Sequence, residues 1–90
     1  MEQPLDRTTS RELWGSGIFH DIEEEVIRAR YLHPGCSHLM VALMEEVGEA
    51  CKEFLDKGSQ ERKRAELVQV CCVAIRLILE GDGDFSSYGP

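Results

Sequence analysis

The sequence predicts an all-α fold, a short bundle of three main helices, and three observations carry that expectation. Apolar residues recur at intervals of three and four over about residues 18–31, 38–57 and 59–80. Between those stretches stand helix breakers, His33-Pro34-Gly35 and Gly58-Ser59. The chain has 90 residues, enough for one domain but with a smaller buried fraction than a longer chain achieves. The expected organisation is an N-terminal segment over 1–17, a helical domain over 18–80 and a loose tail over 81–90. Completion of the bundle by a homodimer or homotetramer is expected with it.

At the N-terminus, Thr9-Ser10-Arg11-Glu12 has the spacing of a capping box before Leu13 and Trp14, which predicts a short helical turn closed by Gly15 and Gly17. In the first main helix Ile22, Val26 and Ala29 form an apolar stripe among Asp21, Glu23, Glu24, Glu25, Arg28 and Arg30. Proline disfavours helix in the residue before it, so His33-Pro34-Gly35 ends this helix and Ser37 can cap the next.

The second helix should place Leu39, Leu43, Val47, Ala50, Cys51 and Phe54 on its apolar face and end at Gly58. Ser59 offers a cap for the third, which is apolar nearly all round. Its exceptions, Arg62, Glu66, Gln69, Arg76 and Glu80, fall in a sector about 80° wide. A helix of that kind packs against neighbours on several sides, at the centre of a bundle or in a dimer interface. Its polar stripe either faces water or faces the second helix across a cleft.

The balance of charge is acidic, with net charge −7 and pI near 4.8. Nucleic acid is therefore not an expected partner, since phosphate backbones are bound by excess Lys and Arg. Nothing at the N-terminus has the basic start and apolar run of a secretory signal, and the apolar stretch Leu67–Leu79 is too short to cross a bilayer. A cytoplasmic protein without a membrane partner is the expectation. Three of the four cysteines, Cys51, Cys71 and Cys72, sit in apolar helical patterns and are expected as reduced core thiols.

Two acidic couples carry the chemical reading: Glu46-Val47-Gly48-Glu49 and Glu66-Leu67-Val68-Gln69, with sixteen residues between them. Residues three apart on a helix project from the same side, so each couple can offer two oxygen ligands to one ion. Magnesium prefers hard oxygen ligands and binds through a few carboxylates together with substrate phosphates. A single Glu-x-x-Glu is commonplace on exposed helices as a partner for Lys or Arg. Two couples on consecutive helices are more specific.

The stretch Leu43-Met44-Glu45-Glu46-Val47-Gly48-Glu49, a spacer, then Ala65-Glu66-Leu67-Val68-Gln69-Val70 resembles the all-α nucleoside triphosphate pyrophosphohydrolases of the MazG type. Their signature is Glu-x-x-Glu, a variable spacer, then Glu-x-x-Asp, and three of the four positions agree. His33-Pro34, Ser37-His38 and Gln69 through Arg76 are similar to small phage-type or mobile-element members. The likeness covers about Phe19 to Glu80. It implies Mg²⁺-dependent hydrolysis of a nucleoside triphosphate, often a deoxynucleotide, to monophosphate and pyrophosphate, with Mn²⁺ as an alternative ion. The resemblance places Glu46, Glu49 and Glu66 as catalytic and metal-binding positions and Gln69 as a fourth ligand. An amide at Gln69 still coordinates but brings no charge, so weaker metal affinity is expected.

Lys52 and Arg76 are candidate phosphate contacts, with salt bridges to Glu49 or Glu80 as the plainer role. His33, Cys36 and His38 make a compact cluster that can be read as part of a zinc site, but no paired Cys-x-x-Cys completes it, and a helix-entry loop is the simpler reading. Trp14, Phe19 and Tyr31 can stack on a nucleobase, although core packing is the commoner fate of such residues. Glu23, Glu24 and Glu25 read as a solvated face from which one member can complete a metal shell. The alternative function is a catalytically weak or inactive helical protein that dimerises or docks on a partner.

Overall fold

Four helices, and no strand, make up the described residues of the computed structural model, which are 7–35 and 38–81. They are α1 (Arg7–Gly15), α2 (Ile18–Leu32), α3 (Leu39–Leu55) and α4 (Gln60–Glu80). The all-α expectation holds, and α1 is a nine-residue helix where only a turn was expected. Thr9 and Ser10 lie inside it rather than at a capping position. Trp14 in its last turn packs on Phe19 of α2, with ring centroids 4.5 Å apart, and Gly17 in the left-handed region (φ 75°) makes the bend between the two helices.

The breaks fall where the residues predict them. α2 ends before His33-Pro34-Gly35. Ser59 caps α4, its hydroxyl accepting the Arg62 N–H at 3.1 Å. The close of α3 differs in one residue from expectation: Lys57, not Gly58, takes the left-handed conformation (φ 56°). Lys57 N–H donates to Phe54 O and Gly58 N–H to Glu53 O at 2.8 Å, which is the paired hydrogen bonding of a Schellman close. Ser37, the expected cap of α3, and Cys36 lie outside the described residues, as do the tail beyond Gly81 and the first six residues.

α4 is the central helix and packs against both α3 and α2. Lys63 lies over Phe54, while Gln69 and Arg76 share a cavity with Glu46 and Leu39, so α3 and α4 run antiparallel as a hairpin. Asp21 pairs with Arg64 at 2.7 Å and Arg30 with Glu80 at 2.9 Å, so α2 runs parallel to α4. Between α2 and α4 lies the core of Ile22, Val26, Val68 and Cys72, flanked by Ile18, Ala29 and Ile75. Leu39 and Ala50 are buried on the α3 side.

Several residues expected inside are not. Cys72 is fully enclosed, but Cys51 and Cys71 are exposed, so one thiol rather than three belongs to the core. Val47, Cys51 and Phe54 of α3 and Leu67, Ile78 and Leu79 of α4 are exposed, as are Trp14, Phe19 and Tyr31. For the residues of α3 and α4 the physical reason is that the packed helices enclose one side of the hairpin, and among the described residues nothing lies against the other. Among the described residues no helix is long and apolar enough to cross a membrane.

Candidate metal centre

The polar stripe of α4 does not face water throughout: Arg62 is exposed, but the rest of it is sheltered by α2, α3 and their connection. Glu66 and Gln69 are half-buried, Arg76 is 4% exposed and Glu80 is half-buried. Because the hairpin is antiparallel, Glu66 of α4 comes level with the Glu46–Glu49 turn of α3. Carboxylate oxygens of Glu46, Glu49 and Glu66 all lie within 4.8 Å of one another. Glu46 and Glu66 are the sheltered members, and Glu49 closes the group from the solvent side.

The electrostatics are those of a site short of positive charge. Burial raises the Glu46 carboxyl above its ordinary value, and the nearby charges of Glu49, Glu66 and Glu45 raise it further. Burial likewise raises Glu66, followed by repulsion from Glu49 and Glu53. Each also has a hydrogen bond with Glu49 that favours its protonated form. Glu46 Oε2 and Glu66 Oε2 are shielded from solvent and have no donor among the described residues. A buried oxygen without a partner is costly, and a cation satisfies both oxygens at once.

These residues fit a hard divalent ion. Oxygens around Mg²⁺ sit at 2.0–2.1 Å from it, so ligand oxygens are about 2.9 Å apart when adjacent and about 4.2 Å apart when opposite, and the three carboxylates approach one another on that scale. Gln69 stands one turn beyond Glu66. It shares with Glu46 the wall of a cavity of about 370 Å³ that lies between α2, α3 and α4. Glu46 thus belongs both to the carboxylate group and to the cavity, whereas Glu49 and Glu66 do not line it.

Of the two expected phosphate contacts, Lys52 is exposed on α3. Arg76 lines the cavity but is held in place: its Nε and Nη2 bond Glu80 at 2.9 and 3.1 Å, and Nη2 also donates to Gly35 O at 2.7 Å and His33 O at 3.1 Å. It therefore ties the α2–α3 connection to α4, alongside the salt bridge to Glu80 that was its plainer reading. His33 is on this cavity wall, and Cys36 of the zinc reading lies outside the described residues.

Two cavity residues escaped the sequence reading as individuals. Glu25 and Arg28 of α2 both line the cavity and pair with each other at 2.8 Å. A signal for Glu25 was present, since it lies about 60° round the helix from Ile22, whereas Glu23 and Glu24 point further from the core. Arg28 follows it by three residues and so shares its side.

Compared with protein-family models, with characterised proteins and with solved structures, the chain gives no significant match. Its class is defined by its own geometry: an all-α protein whose central hairpin carries a three-carboxylate group beside a cavity.

Proposed function

We propose that the protein hydrolyses a nucleoside triphosphate, with Mg²⁺ or Mn²⁺, to the monophosphate and pyrophosphate. The observation that supports this reading best is the convergence of Glu46, Glu49 and Glu66 around two buried oxygens without donors. A cavity of about 370 Å³ opens beside them, within the range of small-molecule sites. The resemblance of the two acidic couples to those of the MazG-type enzymes points the same way.

In this reading Glu46, Glu49 and Glu66 hold the ion, with the Gln69 amide oxygen as an uncharged fourth ligand. An ion held there would neutralise charge on the triphosphate and on the departing pyrophosphate and would acidify water. Water attacks the α-phosphorus, the P–O bond to the β-phosphate breaks, and the water proton passes to a carboxylate of the group. Lys52 on α3 and Arg28 on the cavity wall are the cations available to phosphate oxygens. Arg76 is a positioning residue that holds the α2–α3 connection at the cavity edge.

A screen of ribo- and deoxynucleoside triphosphates for pyrophosphate release tests the proposal. The expected result is Mg²⁺-dependent release that Glu49→Ala lowers at least about 100-fold, the loss typical of a group that acts on the transition state. Gln69→Asp should tighten Mg²⁺ binding by adding the missing charge. Unchanged turnover in Glu49→Ala would sink the site.

The second reading is a non-catalytic helical partner-binding protein, and the exposed apolar side of the α3–α4 hairpin favours it. Melting temperature separates the two. Mg²⁺ at 100 times its dissociation constant adds about 2.7 kcal/mol to a protein that binds it, a shift of more than about 10 °C at this size. A protein without the site gives none.

A further inference from the structure

We infer that the cavity between α2, α3 and α4 is a nucleobase subsite that selects guanine, with Glu25 and Arg28 reading its hydrogen-bonding edge. This subsite rests on the proposed hydrolysis and adds the identity of the base to it. Glu46 stands both in the carboxylate group and on the cavity wall, whereas Glu49 and Glu66 do not line the cavity. A triphosphate held at the carboxylates therefore lies at the cavity's edge, and the nucleoside at its other end has the cavity to enter. At about 370 Å³ the space is about 9 Å across if taken as a sphere, which suits a nucleoside.

The walls fit a flat ring with a polar rim. Ala29 and Leu32 of α2, Leu39 and Ala42 of α3 and Val73 of α4 supply aliphatic surface from three directions. Trp14, Phe19 and Tyr31, the residues expected to stack on a base, do not line the cavity, so the ring's faces meet aliphatic side chains and its edge carries the recognition. Glu25 and Arg28 form a charged pair on this wall, Arg28 Nη1 donating to Glu25 Oε1 at 2.8 Å. Glu25 is the sheltered partner, its side chain 19% exposed against 64% for Arg28. Cys72, which also lines the cavity, lies within electrostatic reach of both Glu25 and Glu46: burial raises its thiol first, then Glu25, with Arg76 opposing and Glu46 adding less. The two carboxylates thus flank one small space.

The choice of base follows from hydrogen-bond chemistry. A carboxylate accepts through both oxygens, and a guanidinium only donates. Guanine's edge offers an acceptor, O6, followed by two parallel donors, N1–H and the 2-amino group. The carboxylate takes the two donors side by side while Arg28 donates to O6. Adenine and cytosine each supply one donor where the carboxylate accepts two, and uracil and thymine set a carbonyl against it. Because the carboxylate is the sheltered member of the pair, an unmatched oxygen there is the costly one. Of the two cations available to the substrate, Arg28 thereby serves the base and Lys52 is left for phosphate.

Kinetics of pyrophosphate release from the triphosphates of guanosine, inosine, adenosine and uridine, in ribo and deoxy forms, test the assignment. Hypoxanthine differs from guanine only in lacking the 2-amino group, so the guanine substrate should exceed the hypoxanthine one in kcat/KM at least about tenfold, as loss of one donor to a sheltered carboxylate requires. Glu25→Met should bring that ratio close to one by raising KM for the guanine substrate, and circular dichroism checks that the variant keeps its helices. Calorimetric titration of guanosine and inosine monophosphates in the presence of Mn²⁺ reads the same preference without turnover. Equal turnover of the four bases, or a guanine preference that Glu25→Met leaves intact, would overturn the inference while the hydrolysis stood. Guanosine monophosphate binding abolished by Glu25→Met, with no pyrophosphate released from any triphosphate, would support the subsite and sink the hydrolysis. Neither binding of a monophosphate nor release from a triphosphate would overturn both.

Discussion

Glu49 stands between Glu46 and Glu66 and contributes repulsion to both. Their folded carboxyls titrate above the ordinary value, so the relief given by protonation is complete below about pH 4.5 and is lost as pH rises through the raised values. At neutral pH the metal-free group therefore works against folding. Glu49→Gln should stabilise the metal-free protein by about 1 kcal/mol at pH 7 and remove most of the Mg²⁺-induced rise in melting temperature. Denaturation with and without Mg²⁺ checks both halves, and a variant less stable than wild type without metal would show that the repulsion is not felt.

Glu80 titrates in the opposite sense. Hydrogen bonds from Arg76, with help from Arg30, lower its carboxyl to about 2. This stability is present above about pH 4.5 and disappears as pH falls toward 2. After discounting for solvent at a partly exposed site it amounts to about 1–2 kcal/mol. Arg76→Met should cost about 2 kcal/mol at pH 7, because the His33 and Gly35 carbonyls and Glu80 all lose a charged donor. The same variant should flatten the acid limb of the stability curve between pH 5 and 2.

At the scale of the element, α3 has a non-glycine residue in the left-handed region at each end, His38 at its start and Lys57 at its close. Lys57 holds a left-handed conformation that a residue with a β-carbon adopts at a cost. Lys57→Gly should raise stability by up to about 1 kcal/mol in urea denaturation without moving the helix boundary. The boundaries themselves were legible, because Pro34, Gly17 and Ser59 act through local backbone chemistry that needs no knowledge of the rest of the chain. The extra turns of α1 were not, since Thr9 and Ser10 give the same local signal whether they start a helix or ride inside one. Burial along α3 was legible only in part. Leu39, Val47 and Phe54 share a periodic pattern, and which of them meets α4 depends on how the hairpin is rotated.

For the whole molecule, two opposed titrations set the pH dependence. Glu80 favours folding above its unfolded value, and Glu46 and Glu66 favour it below their raised ones, so the metal-free protein should be most stable between the ordinary carboxylate value and the raised values of Glu46 and Glu66. Mg²⁺ should move that maximum toward neutrality in melting curves taken across pH. The three glutamates were legible from spacing because helix geometry fixes which side chains share a side. The cavity was not, because Glu25, Arg28 and His33 reach it from α2 and its connection, and their approach depends on how α2 packs on α4. Exposed Leu55, Ile78 and Tyr31 could not be told from core residues either, since periodicity records a wish for burial and not the partner that provides it.

Everything proposed for the site requires Glu46, Glu49 and Glu66 to hold a divalent cation. Calorimetric titration of Mn²⁺ into the full chain and into Glu49→Gln tests it without reference to substrate. The expected result is saturable binding of one ion per chain, weakened at least about tenfold in the variant, as loss of a charged ligand requires. Equal binding by the two proteins, or none by either, would contradict it.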